Sequence, residues 1–168
     1  MGNEDDKVDV GGLSDLGLLR AYADVLEELR ERDIVRSNNN PVADVAERLF
    51  CSMYGWEQMP RSNRGFDAQD ADGTRYEVKA RRITTHNASR QLGALRGLDE
   101  RPFDYLAGVI FNRNFRVVCA ALVPIEYVMA NSAYVGRTNS WKFILRDEVY
   151  DGEGVRRADR MLTHPDWK

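Results

Sequence analysis

The sequence predicts a mixed α/β domain, and three observations carry that expectation. Two amphipathic helical stretches come first, two near-continuous apolar runs of strand length come later, and between them lies a hairpin signal centred on Asp72-Gly73. Helices and strands interleaved in this way, with no internal repeat and no break in composition, describe one layered domain. The 168 residues suffice for a good-sized core, and the balance of 43% hydrophobic to 30% charged residues is that of a globular chain. No apolar run approaches the roughly 20 residues that span a bilayer, so no membrane association is expected. The acidic, polar start matches neither a signal nor a transit peptide, which makes a cytoplasmic location the expectation. Cys51 and Cys119 sit in apolar surroundings without metal-ligand spacing and read as reduced thiols, while His86 and His164 are too far apart for zinc chemistry.

Residues 1–12 are polar and glycine-containing and read as a disordered lead-in, leaving a single domain over residues 13–168. Ser14 is placed as an N-cap, with Leu13 and Leu18 as a hydrophobic staple around it. Leu18, Tyr22, Val25, Leu26 and Leu29 then share one helical face, predicting a helix from Asp15 to Arg32; packing of its apolar side on its own domain is expected ahead of the alternative, a partner or dimer helix. Asn40 and Pro41 start a second helix, carried by Val42, Val45, Ala46, Leu49, Phe50 and Met53 and closed by Gly55. Glu47 lies at the flank of that stripe, where periodicity alone assigns it to a solvated face. After the hairpin, Leu92, Leu95 and Leu98 suggest a helix within Thr84 to Leu98, weakened by Gly93 and Gly97. Tyr105 to Phe111 and Arg116 to Leu122 read as central strands covered on both faces. Pro124 to Ala130 reads as a short helix, Trp141 to Leu145 as a further strand, and the polar stretch from Gly154 on as little more than a helical turn.

The chemistry concentrates in the hairpin. With a three-residue turn at Ala71-Asp72-Gly73, Gly73 takes the left-handed position and Asp70 pairs with Thr74. Continuing that register sets Asp67 opposite Glu77, with Cβ atoms about 5 Å apart. A two-residue turn would send the two acids to opposite faces. On the second strand Tyr76, Val78 and Ala80 alternate with Arg75, Glu77, Lys79 and Arg81, so Glu77 and Lys79 lie side by side. Two carboxylates beside a lysine suit a hard cation such as Mg²⁺ and the stabilisation of charge on a phosphate. The plainer reading is a solvent-facing hairpin with a surface ion pair worth at most about 1 kcal/mol. The net charge of −3 does not mark a nucleic-acid binder, but its distribution is uneven. Met1 to Asp33 carries 4 basic and 10 acidic residues, whereas Arg61 to Arg101, around the hairpin, carries 9 basic and 6 acidic.

Asp67, then a DG turn, then Glu77-Val78-Lys79 on the following strand resembles the PD-(D/E)xK, or restriction endonuclease-like, nuclease superfamily. Further segments, among them Asn39-Asn40-Pro41, Ser89-Arg90-Gln91-Leu92 and Phe103-Asp104-Tyr105-Leu106, resemble an uncharacterised bacterial family within it. The residue before the acid is Phe66 where the superfamily pattern has proline, a position that supplies no ligand. The resemblance implies a restriction endonuclease-like αβββαβ core, with a central mixed sheet of about four to five strands flanked by helices and an added N-terminal helix. It implies Mg²⁺-dependent cleavage of DNA, with Mn²⁺ able to substitute, by an endonuclease. Asp67 and Glu77 would ligate metal together with the backbone carbonyl of Val78. Lys79 would position water or stabilise charge, and Glu47, from the helix upstream, would be an accessory acid and ligand. Arg81, Arg82, Arg90 and Gln91 are candidates for contacts to DNA phosphates. A homodimer is expected where both strands are cut. The alternative is a catalytically silent module of this fold that binds nucleic acid or a protein partner.

Overall fold

The computed structural model describes residues 8–163. Its elements are α1 (Asp15–Glu31), α2 (Val42–Tyr54), β1 (Glu57–Gln58), β2 (Ala68–Gln69), β3 (Arg75–Arg82), β4 (Tyr105–Phe111), β5 (Val117–Pro124), α3 (Ile125–Asn131), β6 (Ala133–Val135), β7 (Ser140–Lys142) and β8 (Arg156–Arg157). One mixed sheet runs in the order β1-β2-β3-β4-β5-β8, and β6 pairs only with β7. β3 and β4 are parallel and every other neighbouring pair is antiparallel. The fold is therefore mixed α/β as the sequence predicts, with β1 and β8 bringing the sheet to six strands. No helix is long and apolar enough to cross a membrane among the described residues. The expected lead-in falls partly outside those residues, and Val8 to Gly12 form neither helix nor strand.

Strand alternation builds a core on each face of the sheet. On one face Tyr76 and Val78 of β3 join Ala107, Val109 and Phe111 of β4 under Val45, Ala46, Leu49 and Phe50 of α2. On the other, Leu106 and Ile110 lie beneath Leu92, Leu95, Leu98, Phe143 and Leu145. β4 is thus buried on both sides, as its continuous apolar run requires. Gly108 lets Leu92 pack close on β4, because a Cβ there would meet Leu92 Cδ1 at 3.0 Å. Trp56 stacks on Tyr76 with ring centroids 3.7 Å apart, closing α2 onto the start of β3. At the same end Asp104 accepts from the Arg75 backbone N–H at 2.8 Å and from its Nη2 at 2.9 Å, pinning the entry of β4 to that of β3.

Two expectations need correction. Thr84 to Leu98 is not helical. It runs as an irregular, extended segment bridged to β7 and its continuation at Leu95↔Trp141 and Gln91↔Ile144, with a 3-10 turn only at Leu98–Glu100. The three-residue spacing of Leu92, Leu95 and Leu98 imitates a helix, but extended backbone also buries all three, and Gly93 and Gly97 disfavour the helical alternative. The helix implied between the third and fourth strands of an αβββαβ core is therefore replaced by this segment, which makes the parallel crossover from β3 to β4.

The second correction concerns α1, whose N-cap forms as expected, with Ser14 Oγ accepting from Gly17 N–H at 3.2 Å. Its apolar face, however, does not pack on the domain. None of its residues is buried. Only its C-terminal end is tied down, where Leu29 touches the core and its carbonyl accepts from the N–H of Ile34 at 2.8 Å.

Leu106 has no exposed surface and sits at the centre of the sheet. Leu106→Ala should lower stability by about 2–5 kcal/mol, read as a fall in the urea midpoint with the slope unchanged.

Candidate active site at the end of the β2 ladder

The turn forms in the three-residue register. Gly73 has φ 84°, its N–H bonds the Asp70 carbonyl at 3.1 Å, and Asp70 N–H bonds the Thr74 carbonyl at 3.1 Å. Asp70 also accepts from the N–H groups of Asp72 and Thr74 and from the Tyr76 hydroxyl, so the loop is braced from inside. Pairing then runs Gln69↔Arg75 and Ala68↔Tyr76. One more step would set Asp67 opposite Glu77, but here the ladder breaks. Asp67 N–H bonds the carbonyl of Tyr76 at 2.8 Å, so Asp67 and Ala68 both face Tyr76. That two-against-one count is a β-bulge, a device that re-aims a side chain.

The re-aimed Asp67 carboxylate accepts the Val78 N–H through Oδ2 at 2.8 Å. A side chain thus replaces the strand that would have paired with β3 at this point. A strand residue carries its N–H and C=O on the same edge, so the Val78 carbonyl points to the Asp67 side as well, where β2 no longer runs. The Asp67 carboxyl is also near enough to Glu77 for its charge to act on the Glu77 carboxyl. Lys79 Nζ donates to Glu77 Oε1 in an ion pair whose side chains are only 22% and 16% exposed. This pair is not a solvated surface bridge: the face of β3 that carries it is covered by the 84–97 segment, where a Cβ on Gly93 would come within 3.3 Å of Lys79 Cδ.

Glu47 is largely covered too, its side chain 14% exposed, contrary to its helical periodicity. It is ion-paired to Arg36 and accepts from Gln58 Nε2 at 3.0 Å. Asp67 and Glu47 both line a cleft of about 200 Å³ shared with Arg36, Arg61, Asn39 and Asn63. Among the described residues no three His, Cys, Asp or Glu side chains stand together as a group able to hold a metal ion, and Glu47 faces its arginine instead of completing such a set. The hard-oxygen donors that do converge are the carboxylates of Asp67 and Glu77 and the carbonyl of Val78. They suit Mg²⁺, which keeps several waters of its own.

The electrostatics follow from three acids sharing two cations. Burial raises the Glu77 carboxyl to about 7, with Asp67 adding to the rise and Lys79 opposing it. Burial and the charge of Asp67 also raise Glu47, against Gln58 and Arg36. Lys79 moves up despite its burial, because Glu77, Asp67 and Glu47 all favour its charged form. One lysine answers to several acids, so it is held charged while no single acid is fully compensated.

The predicted phosphate contacts separate into those near the site and those far from it. Arg81 lies on the Lys79 face of β3 and its Nε is buried without a hydrogen-bond partner. Arg82 turns away, its Nε bonded to the Arg113 carbonyl and its guanidinium over the Phe115 ring. Arg90 is held by Asp147 at 2.7 Å and by Cys119. Arg81 pairs with Ile110 and Ile110 with Cys119, so Arg90 sits two strands, about 10 Å, from Arg81. Gln91 lines a separate cavity of about 520 Å³ beside Tyr127 and Phe143. The structure brings neither Arg90 nor Gln91 to the acids.

Arg36, Gln58 and Cys51 were not anticipated. Burial, and next the charge of Glu47, push the Cys51 thiol up to about 11, which keeps it protonated and inert beside the acids. Arg36 and Gln58 come from segments with no pattern of their own, so only the fold reveals them. In comparisons with known proteins, no family model and no curated protein matches this chain.

The raised Glu77 carboxyl has a consequence for stability. The folded chain holds its proton more tightly than the unfolded chain does. The stabilisation is therefore complete below the ordinary carboxylate value of 4.5 and is lost as pH rises through about 7. In chelator, the parent should lose on the order of 1–3 kcal/mol more stability than Glu77→Gln between pH 5 and pH 7.5, measured by urea unfolding. Parallel pH profiles for the two proteins would contradict it.

Proposed function

We propose that this protein is a divalent-metal-dependent nuclease of the PD-(D/E)xK type that hydrolyses DNA phosphodiester bonds as an endonuclease. The observation that carries the reading is the convergence of Asp67 on Val78 and Glu77, beside Lys79, at the place where the β2 ladder stops. An amphipathic surface hairpin has no reason to bury two carboxylates against each other, since like charges in a desolvated site destabilise it.

Asp67, Glu77 and the Val78 carbonyl would hold Mg²⁺ or Mn²⁺, and the bound ion would supply a water of lowered pKa and a counter-charge for the phosphate. The protein's own residues account for the rest. Lys79 is held protonated by its acidic neighbours, so it does not take a proton from water. It orients the attacking water and faces the negative charge that builds on the phosphoryl oxygens as the new P–O bond forms and the old one breaks. Asp67, fixed by a backbone amide, and Glu77, fixed by Lys79, reach the substrate already oriented. Glu47 acts at one remove, holding Arg36 and the wall of the cleft in which a flanking nucleotide would lie. The basic balance around the hairpin fits a polyanionic substrate.

A silent binding module of the same fold is the second reading. It is favoured by the ion pair that keeps Glu47 on Arg36 and away from the other two acids. Plasmid cleavage with Mg²⁺ or Mn²⁺ decides between them. Cleavage should be abolished by chelator and fall on the order of 10²–10³-fold in Lys79→Ala and in Asp67→Ala, with circular dichroism unchanged. Activity surviving in both variants would overturn the nuclease reading. Metal-independent DNA binding without turnover in the parent would establish the silent module.

A further inference from the structure

We propose that the cavity between α3, β7 and the 84–97 segment is a nucleotide-binding site, taking a phosphorylated nucleoside whose base carries an exocyclic amino group. The starting observation is a contrast between cavities. The cleft beside Asp67 holds the ion pair of Arg36 with Glu47. In a second cleft of about 200 Å³, Arg75 is paired with Asp104 and Arg101 with Glu126. The cavity that Gln91 lines is larger, about 520 Å³, inside the range of about 300–1,000 Å³ typical of small-ligand pockets. Lys142, Arg146 and Glu148 stand in its wall, and none of them forms an ion pair among the described residues. Asp147, the acid between Arg146 and Glu148, is already taken by Arg90. Three charges thus line one hollow without compensating each other.

The ligand class follows from what the wall offers. Phe143 is buried and gives the cavity an apolar side, to which Tyr127 adds a second ring. The Tyr127 ring is seated against backbone, since any side chain at Gly152 would run into it. An apolar wall with a fixed ring suits the flat face of a heterocycle. The side-chain amide of Gln91 makes no hydrogen bond among the described residues. Its backbone is nevertheless held, because Gln91 bridges Ile144 and the N–H of Leu92 bonds the Phe143 carbonyl at 3.0 Å. A primary amide presents an acceptor and a donor side by side, the pattern that reads the edge of a base. Glu148 adds an acceptor for an amino group on that edge. Lys142 and Arg146 supply two positive charges, matching the charge of about −1.5 to −2 on a phosphate monoester near neutral pH. A carboxylate ligand would leave one of these cations unanswered. A wholly apolar ligand would desolvate all three charges with nothing in return.

None of Asp67, Glu77 and Lys79 lines this cavity, so the inference is independent of the nuclease reading. Calorimetric titration of the full chain in chelator should show binding of 2′-deoxyadenosine 5′-monophosphate. Deoxyadenosine and deoxyribose 5-phosphate should each bind roughly tenfold more weakly or worse. Lys142→Ala, Arg146→Ala and Gln91→Ala should each weaken the nucleotide by roughly tenfold, with circular dichroism unchanged. Arg96→Ala, which removes a cation of the same segment outside the cavity wall, should leave binding as it is. A preference over thymidine 5′-monophosphate, which lacks the amine, should disappear in Glu148→Ala. Amide resonances of Tyr127, Lys142 and Glu148 should shift on titration, while those of Val78 and Lys79 stay in place. Either result of competition with a single-stranded oligodeoxyadenylate supports the site: displacement makes its ligand a nucleotide within a strand, and no displacement a free one. Absence of binding at millimolar nucleotide would overturn the proposal. So would binding insensitive to both Lys142→Ala and Arg146→Ala, or deoxyribose 5-phosphate binding as tightly as the nucleotide.

Discussion

The Asp67 carboxylate takes the N–H of Val78, and the rest of the site is arranged by where that contact falls. Had β2 continued one residue further, its backbone would have paired with β3 and Asp67 would have stood in an ordinary ladder. The bulge at Asp67 and Ala68 ends the pairing early. An edge amide that would otherwise lie unsatisfied receives a side-chain partner, and the carbonyl on the same edge is left open. Everything else is drawn in behind it. The carboxylate is pulled beside Glu77, Glu77 is left to share Lys79 with it, and the lysine is held charged.

Much of this was legible in the sequence because it is local. Asp72-Gly73 and Asp70 together specify the turn, the turn specifies the register, and the alternation of Tyr76 and Val78 with Glu77 and Lys79 specifies the faces. The bulge was not legible, because nothing in Phe66-Asp67-Ala68 signals an extra residue. Glu47 misled by position: at the flank of an apolar stripe it reads as solvated, and its burial depends on Arg36 and Gln58 arriving from elsewhere in the fold. The Leu92-Leu95-Leu98 spacing misled by coincidence of period, since three residues apart suits one helical face but also suits an irregular strap pressed on a sheet. The face of α1 was read correctly as apolar and wrongly as inward. Periodicity reports which side of a helix avoids water and says nothing about which molecule covers it.

The strap itself has a further consequence. Residues 84–97 shield the Glu77–Lys79 pair, yet their backbone is moored chiefly to β7, through Leu92 N–H to the Phe143 carbonyl and the paired bonds of Leu95 and Trp141. β7 in turn pairs only with β6, outside the main sheet. The cover over this pair is thus lent by a layer whose backbone is hydrogen-bonded outside the main sheet. Leu92, Leu95, Phe143 and Leu145 are themselves core residues against Leu106 and Ile110, so the layer that shields Lys79 is held by the same burial that holds the sheet.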